Sequence, residues 1–137
     1  RDDVKDSTLY HETNVNGAEN IATVCTEKRI KKIIFTSSVA VYGLAKAGTG
    51  EDGKIAPFNE YGKTKFQAEE KLRAWHANSS NSLIIVRPTV VFGEGNRGNV
   101  YNLLQQIASG KFIMVGSGKN KKSMAVWATR SSSSCAV

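Results

Sequence analysis

The fold is set by the stretch Ile33–Ile34–Phe35–Thr36–Ser37–Ser38, in which an apolar and β-branched run is followed directly by two hydroxyl side chains. Such a short continuous run predicts a buried strand. Before it, apolar residues recur at helical spacing from Thr8 to about Glu27. We therefore predict a helix, then a strand that ends at a pair of serines.

Downstream, helices and strands continue to alternate. The spacing predicts helices over Tyr61–Ala77 and Val100–Ile107, strands over Leu83–Val86 and Phe112–Val115, and a glycine-rich loop over 43–57. Asn59 is placed to cap the first of these helices. Continuously apolar strands that alternate with helices predict an α/β fold, with a parallel sheet covered by helices on both faces.

Composition excludes several classes of protein. The net charge is +7, but residues 1–110 hold 14 Lys and Arg against all 12 Asp and Glu, so the excess lies in residues 111–137. No basic face results, which argues against a nucleic-acid partner. The sequence has no apolar stretch that could span a bilayer. Cys25 and Cys135 lack ligands at metal-binding spacing, so we predict no metal site and a reducing, cytoplasmic environment.

Tyr61 and Lys65 are the first candidates for chemistry. Their i, i+4 spacing places both side chains on one face of the predicted helix. An ammonium near a phenol favours the phenolate, which suits Tyr61 to move the proton of a substrate hydroxyl. The alternative is a surface tyrosine beside a solvated lysine, because the pattern is short.

Ser37 and Ser38 follow the first predicted strand. In open parallel sheets, ligands bind outside the carboxyl ends of the strands, where Ser38 would lie. A hydroxyl there could bond the same substrate oxygen as Tyr61. The alternative for both serines is ordinary turn chemistry at a strand end.

Three successive motifs carry a family resemblance. They are Phe35-Thr-Ser-Ser-Val-Ala-Val-Tyr-Gly43, Pro57-Phe-Asn-Glu-Tyr-Gly-Lys-Thr-Lys65 and Val86-Arg-Pro-Thr-Val-Val-Phe-Gly93. In this order they resemble the extended short-chain dehydrogenases, the NAD-dependent sugar epimerases and dehydratases. The resemblance covers about residues 1–125 and implies the second half of a Rossmann-type parallel sheet with flanking helices.

The resemblance also implies roles for individual residues. Ser38, Tyr61 and Lys65 would be catalytic, with Ser38 also contacting the sugar. The NAD cofactor would be contacted by Tyr61 and Lys65 together with a further set: Asn14, Ser37, Pro88 and Thr89. A strand terminator is the alternative for Pro88.

Within the family, the chain is similar to bacterial 4-epimerases that act on N-acetylglucosamine for surface-polysaccharide assembly. The implied substrate is a sugar diphosphate, with undecaprenyl diphosphate preferred to UDP as carrier because Val90 stands where many nucleotide-sugar enzymes have Asn. Val39–Ala40, in place of an Asp–Glu pair, disfavours a dehydratase. The implied parent protein is a homodimer that could contact the inner face of the cell membrane.

Two features depart from the family. The opening strand, glycine loop and helix would precede Arg1, so we expect a fragment that lacks the glycine-loop half, and an inactive remnant is the rival interpretation. Gly93, Gly95 and Gly98 are interpreted as a substrate-side loop, with Arg97 and Asn99 as substrate contacts and a solvated Arg97 as the alternative. We expect residues 126–137 to form a disordered, frame-shifted tail.

Overall fold

A computed structural model describes residues 7–46, 48–77, 80–96, 98–114, 116–119 and 123–127. The chain forms two compact units, Arg1–Pro88 and Thr89–Val137. Within the described ranges, no helix combines the length and apolar character that a membrane crossing requires.

The first unit alternates helices and strands in the predicted order. Its elements are α1 (Ser7–Tyr10), a π-helical segment (His11–Asn16), α2 (Gly17–Glu27), β1 (Lys32–Thr36), a 3₁₀ turn (Val39–Tyr42), α3 (Glu60–Ala77) and β2 (Ser82–Val86). Each of the four elements predicted here is confirmed, and each begins one residue earlier than predicted. The π-helical segment was not predicted.

The two strands of this unit pair in parallel, as the sequence predicted. Ile33 is opposite Leu83, and Phe35 is opposite Ile85. Ile33, Phe35 and Leu83 pack against a core in which Ala18 of α2 meets Ala68 and Leu72 of α3. Small alanines at this contact let the two helices approach each other and the sheet closely.

The opposite face of β1 and β2 is bare. Ile34 is 70% exposed and Ile84 is 53% exposed. Among the described residues of this unit, no element covers that face, so the expectation of helices on both faces is wrong for this unit. Side chains alternate across a strand, and the helices of this unit bury only one of the two sets.

Helix α3 begins where the sequence predicted a cap. Asn59 Oδ1 accepts a hydrogen bond from the Gly62 amide at 2.8 Å, which satisfies one of the free N–H groups of the first turn. Gly62 is buried and lies close to the 3₁₀ turn. A Cβ atom at this position would lie 2.5 Å from the Ala40 carbonyl oxygen, which is too close for any other residue type. The glycine permits this close approach.

The second unit contains β3 (Val90–Gly93), α4 (Asn99–Ala108) and β4 (Met124–Trp127). The helix confirms the prediction over 100–107. Strands β3 and β4 pair in parallel, with Val90 opposite Met124 and Gly93 opposite Trp127.

Two predictions for this unit need correction. Phe112–Met114 do not form a strand, and Val115 lies outside the described residues. The strand forms instead at Met124–Trp127, where a pairing partner is available. Val126 and Trp127, which we assigned to the tail, pair with β3, so the predicted boundary at residue 125 falls inside a strand. Residues 128–137 lie outside the described residues.

Candidate active site

Helix α3 carries Tyr61 and Lys65 on one face and brings that face to the carboxyl end of β1. Lys65 Nζ donates a hydrogen bond to the Thr36 carbonyl oxygen at 3.1 Å. The ammonium also lies 5.1 Å from the centre of the Phe35 ring, a cation–π distance. Burial lowers the pKa of Lys65. The lysine is therefore held at the sheet edge and does not extend into solvent.

Tyr61 lies one helical turn before Lys65 and is half-buried. Its ring packs edge-on against Tyr10, with the ring centres 6.0 Å apart and the planes at 62°. This aromatic contact limits how the phenol can turn.

Asn14, a predicted cofactor contact, lies in the π-helical segment. Its Nδ2 donates to Thr64 Oγ1 at 3.0 Å, and Thr64 Oγ1 in turn donates to the Glu60 carbonyl oxygen at 2.8 Å. Asn14 thus ties the π-helical segment to the first turns of α3. Insertions of this kind in helices are frequent at functional sites.

Ser38 lies two residues after the end of β1 and is the N-cap residue of the 3₁₀ turn. Its Oγ accepts a hydrogen bond from the Ala40 amide at 3.2 Å, so the turn chemistry weighed as the alternative is present. A hydroxyl that accepts one bond can still donate its proton to another oxygen. The turn role and the proposed contact with a substrate oxygen are therefore compatible.

The backbone places Pro88 beside Ser38. The Ser37 amide donates to the Val86 carbonyl oxygen at 2.7 Å, and the Val39 amide donates to the Pro88 carbonyl oxygen at 3.2 Å. These two bonds continue the pairing of β1 with β2 past the ends of both strands. Four predicted site residues, Ser37, Ser38, Lys65 and Pro88, therefore lie at one edge of the sheet.

The Ser37 side chain is buried, with only 3% of the residue exposed. Its hydroxyl faces Glu69 and helps to lower the pKa of that carboxyl group, yet it makes no hydrogen bond of normal geometry. The proposed contact of Ser37 with the cofactor stays a prediction.

Glu69 was not predicted as part of the site. Its side chain is fully buried and pairs with Arg87, whose Nε lies 2.8 Å from Oε1. Arg73 adds a second ion pair at 3.0 Å. Burial raises the pKa of Glu69, but the hydrogen bonds from Arg87, the nearby Ser37 hydroxyl and the charges of both arginines outweigh burial and lower it overall.

Arg87 links this carboxylate to the end of the 3₁₀ turn. Its Nη1 donates to the Tyr42 hydroxyl, and its guanidinium lies 4.8 Å from the centre of the Tyr42 ring. The hydrogen bond to Glu69 raises the pKa of Arg87, against the opposing effect of burial. The sequence did contain a signal for this network. Glu69 is a carboxylate one helical turn after Lys65, on the part of α3 that also carries the apolar residues Ala68 and Leu72.

The remaining predicted residues belong to the second unit. Thr89 precedes β3, and Asn99 is the first residue of α4; both are exposed. Arg97 lies outside the described residues, so the prediction that it contacts the substrate stays open.

Gly93 ends β3, and Gly95 and Gly98 lie between β3 and α4, with Gly98 at the helix N-cap position and Gly95 at φ 75°. A dinucleotide-binding loop has the same strand–turn–helix setting, but it also needs an acidic residue about 20 residues further on. The sequence contains no Asp or Glu after Glu94. This absence favours the interpretation of residues 93–98 as a substrate-side loop.

The model of the NAD dependent epimerase/dehydratase family matches residues 1–124. The chain belongs to this family. The match includes Ser38, Tyr61, Lys65 and Asn14, all of which lie in the first unit.

Curated relatives of this epimerase/dehydratase chain include 4-epimerases. It is 58% identical over 127 residues to the N-acetyl-alpha-D-glucosaminyl-diphospho-ditrans,octacis-undecaprenol 4-epimerase of Escherichia coli O157:H7, a match that covers 91% of this chain and 38% of that protein. It is 35% identical to the UDP-glucose 4-epimerase of Vibrio cholerae, over 85% of this chain and 37% of that protein. The chain thus spans about two fifths of the length of these relatives.

Solved structures agree on the fold. The UDP-glucuronic acid 4-epimerase from Bacillus cereus, in complex with UDP-glucuronic acid and NAD, aligns with a TM-score of 0.76 at 25% identity. The alignment covers 89% of this chain and 40% of that one. The UDP-N-acetylglucosamine 4-epimerase from Methanobrevibacter ruminantium M1 aligns with a TM-score of 0.76 at 24% identity, over 90% of this chain and 42% of that one. These neighbours identify the first unit as part of a Rossmann-type α/β fold.

Proposed function

We propose that this chain is the catalytic part of an NAD-dependent sugar 4-epimerase that interconverts N-acetylglucosamine and N-acetylgalactosamine on a diphosphate carrier. The observation that carries the proposal is the placement of Tyr61 and Lys65 on one face of α3, with Lys65 bonded to the end of β1 immediately before Ser37 and Ser38. The 58% identity to the Escherichia coli relative supports the choice of sugar and carrier.

The residues present fit the nicotinamide end of NAD. Oxidation at a carbinol needs a proton acceptor, a nearby cation and a hydrogen-bond donor to the reacting oxygen. Tyr61, Lys65 and Ser38 have this chemistry. Lys65 and Tyr61 would hold the nicotinamide ribose, with Asn14 and Pro88 nearby in the same unit. When bound, NAD supplies a hydride acceptor for C4 of the sugar and returns the hydride to the other face.

The chain's own residues move the proton. The Tyr61 phenolate accepts the proton of the C4 hydroxyl, and the Lys65 ammonium stabilises the negative charge on the phenolate. Ser38 donates a hydrogen bond to the same substrate oxygen and holds it against Tyr61. After the 4-keto sugar turns over, Tyr61 returns the proton. Net redox change is zero, as an epimerisation requires.

The lipid-linked substrate is preferred on two grounds. The relative with 58% identity bears the name of an enzyme of an undecaprenol-linked sugar, and Val90 cannot donate a hydrogen bond from its side chain to a nucleotide-sugar diphosphate. Such a substrate resides in a bilayer, so we propose that the enzyme acts at the inner face of the cell membrane in surface-polysaccharide assembly. The homodimer is proposed from the family resemblance alone. A UDP-sugar 4-epimerase is the second candidate, supported by the Vibrio cholerae relative.

A hybrid enzyme tests the proposal. In this hybrid, residues 8–124 replace the matching segment of the Escherichia coli relative, and the unaltered relative is the positive control. We expect the hybrid to epimerise C4 of N-acetylglucosamine on undecaprenyl diphosphate faster than on UDP. A folded hybrid that binds NAD and epimerises neither substrate would refute the proposed function. Faster turnover of the UDP sugar would reverse only the preference for the carrier.

A further inference from the structure

Glu69 is the third residue of the catalytic face of α3. Tyr61, Lys65 and Glu69 are spaced i, i+4 and i+8, so their side chains lie above one another on the helix. The Glu69 carboxylate is fully buried. A buried charge is retained only where partners compensate for the lost water.

Arg87 supplies that compensation in a fixed geometry. Its Nε lies 2.8 Å from Oε1 of Glu69 and its Nη2 lies 2.5 Å from Oε2. This fork–fork pairing fixes orientation as well as distance. Glu69 cannot turn without breaking both bonds, so the pair restricts rotation of α3 about its axis.

The same arginine fixes the segment that starts at Ser38. Its Nη1 bonds the Tyr42 hydroxyl at the end of the 3₁₀ turn, and Tyr42 in turn donates to the Glu51 carbonyl oxygen at 3.0 Å. The next residue, Pro88, accepts the amide hydrogen bond of Val39. Both ends of the turn are therefore attached at Arg87–Pro88.

The network does not itself meet the proposed reaction centre. It borders a cavity of about 360 Å³ whose lining includes Tyr42, Arg73 and Arg87 but not Ser38, Tyr61 or Lys65. Any effect of Glu69 on catalysis is therefore exerted through position.

We infer that Glu69 is a positioning residue: through Arg87 it locks the Tyr61–Lys65 face of α3 and the Ser38 turn in one arrangement. The inference deepens the proposed function and rests on it for the identity of the catalytic residues. The lock itself is a property of the first unit and is measurable without turnover.

Hydrogen exchange on the 137-residue chain measures the lock directly. The reporters are the amides of Val41 and Gly43 in the turn and of Ala56, which bonds the Val41 carbonyl oxygen. In Glu69→Gln we expect these amides to exchange about tenfold faster or more, while amides of α2 change less than about twofold. The matched control is Glu70→Gln, the same chemical change at the exposed neighbouring position, which should exchange like the parent.

Two outcomes would overturn the inference. One is unchanged exchange at the three reporter amides in Glu69→Gln. The other is equal acceleration in the turn and in α2, which indicates a general loss of structure and no specific lock. If Glu69→Gln does not fold, Tyr42→Phe replaces it, because this variant leaves the Glu69–Arg87 pair in place and removes the hydroxyl that bonds Arg87 and the Glu51 carbonyl oxygen. Unchanged exchange in Tyr42→Phe would then contradict the inference.

Kinetics of the hybrid enzyme separate positioning from stability. Displacement of catalytic groups by about 1 Å costs about 100-fold in rate, so kcat of Glu69→Gln should fall about 10- to 100-fold while KM changes less than about threefold. Unchanged kcat in an active hybrid would contradict the inference. An inactive parent hybrid whose Glu69→Gln variant still accelerates exchange in the turn would refute the proposed function and leave the lock standing.

Discussion

Tyr61 illustrates how much a residue depends on its surroundings. The spacing from Tyr61 to Lys65 is visible in the sequence, but it is too short to identify a site alone. The hydrogen bond from Lys65 to the Thr36 carbonyl oxygen and the packing of Tyr61 on Tyr10 fix where the two side chains lie. Both contacts join residues that are far apart in sequence, so spacing alone could not establish them.

Substitutions at the three proposed catalytic residues should have graded effects in the hybrid enzyme. Tyr61→Phe keeps the ring but removes the proton acceptor, so kcat should fall about 10²- to 10⁴-fold. Lys65→Met should slow turnover and also weaken NAD binding, because the ammonium serves both. Ser38→Ala should cost less than Tyr61→Phe, because it removes one hydrogen bond and leaves the proton route intact.

The measurements are C4 epimerisation of the lipid-linked and UDP-linked sugars and calorimetric NAD binding. Lys63→Met, which removes an exposed lysine from the same helix, is the matched control and should behave like the parent. Near-parental turnover in Tyr61→Phe would show that the site is wrongly assigned.

The lowered pKa of Glu69 leads to a prediction of how the free energy of unfolding depends on pH. Its pKa is lowered on folding, so its contribution to the free energy of unfolding is present above the unfolded value of about 4.3 and is lost as the pH falls through the folded value. The chain should therefore lose stability on acidification below about pH 4.3.

Glu69→Gln should be less stable than the parent at pH 7, by about 1–3 kcal/mol, and should lose less on acidification. Urea unfolding followed by circular dichroism between pH 7 and pH 3 checks this. A parallel decline of parent and variant would contradict the assigned role of the carboxylate.

At the scale of elements, Gly62 decides how closely α3 approaches the 3₁₀ turn. Alanine normally stabilises a helix relative to glycine by about 0.5–1 kcal/mol, but a Cβ at this position would overlap the Ala40 carbonyl oxygen at 2.5 Å. Gly62→Ala should therefore destabilise the chain by about 1–3 kcal/mol and slow the hybrid enzyme.

Gly17→Ala is the matched control, because that glycine is also helical and a Cβ would meet only the Glu12 carbonyl oxygen at 3.9 Å. It should raise the midpoint of thermal unfolding. If both alanine variants shift the midpoint in the same direction, the close approach of α3 to the turn does not matter for stability.

Elements with a strong local signal were predictable, and elements selected by distant partners were not. Helix α3 has a cap at Asn59 and a regular apolar spacing, so its bounds could be predicted to one residue. Phe112–Met114 has the composition of a strand, yet the partner of β3 is Met124–Trp127. Pairing in parallel joins segments more than 30 residues apart, and local composition does not encode that choice.

At the scale of the molecule, one face of the β1–β2 sheet is apolar in sequence but is not covered by a described helix of the first unit. Continuous apolar strands correctly indicated a sheet with two apolar faces, but the first unit supplies helices for only one. Ile34 and Ile84 remain exposed, and the chain spans about two fifths of its relatives. The strand composition therefore predicts a layer that the described part of this unit does not contain.

The distribution of cofactor contacts leads to a prediction for the whole chain. The nicotinamide end has candidate contacts in Tyr61 and Lys65. The pyrophosphate of a dinucleotide is normally held by backbone amides of a glycine loop at a helix N-terminus in the first β–α turn. The turn after β1 begins Ser37–Ser38–Val39 and has no glycine at its start, and the glycines at 93–98 lack the acidic residue that would bind the ribose.

We therefore expect the 137-residue chain to bind NAD too weakly to detect at micromolar concentrations, and the hybrid enzyme to bind it. Isothermal calorimetry on both proteins under the same conditions gives the comparison, with the unaltered Escherichia coli relative as the positive control. Micromolar binding to the chain alone would contradict this prediction and would redirect attention to residues 93–98. In that case Gly95→Val should abolish binding, because Gly95 has a φ of 75° that a β-branched residue rarely adopts. If Gly95→Val left the binding intact, the loop at residues 93–98 would not be the pyrophosphate site.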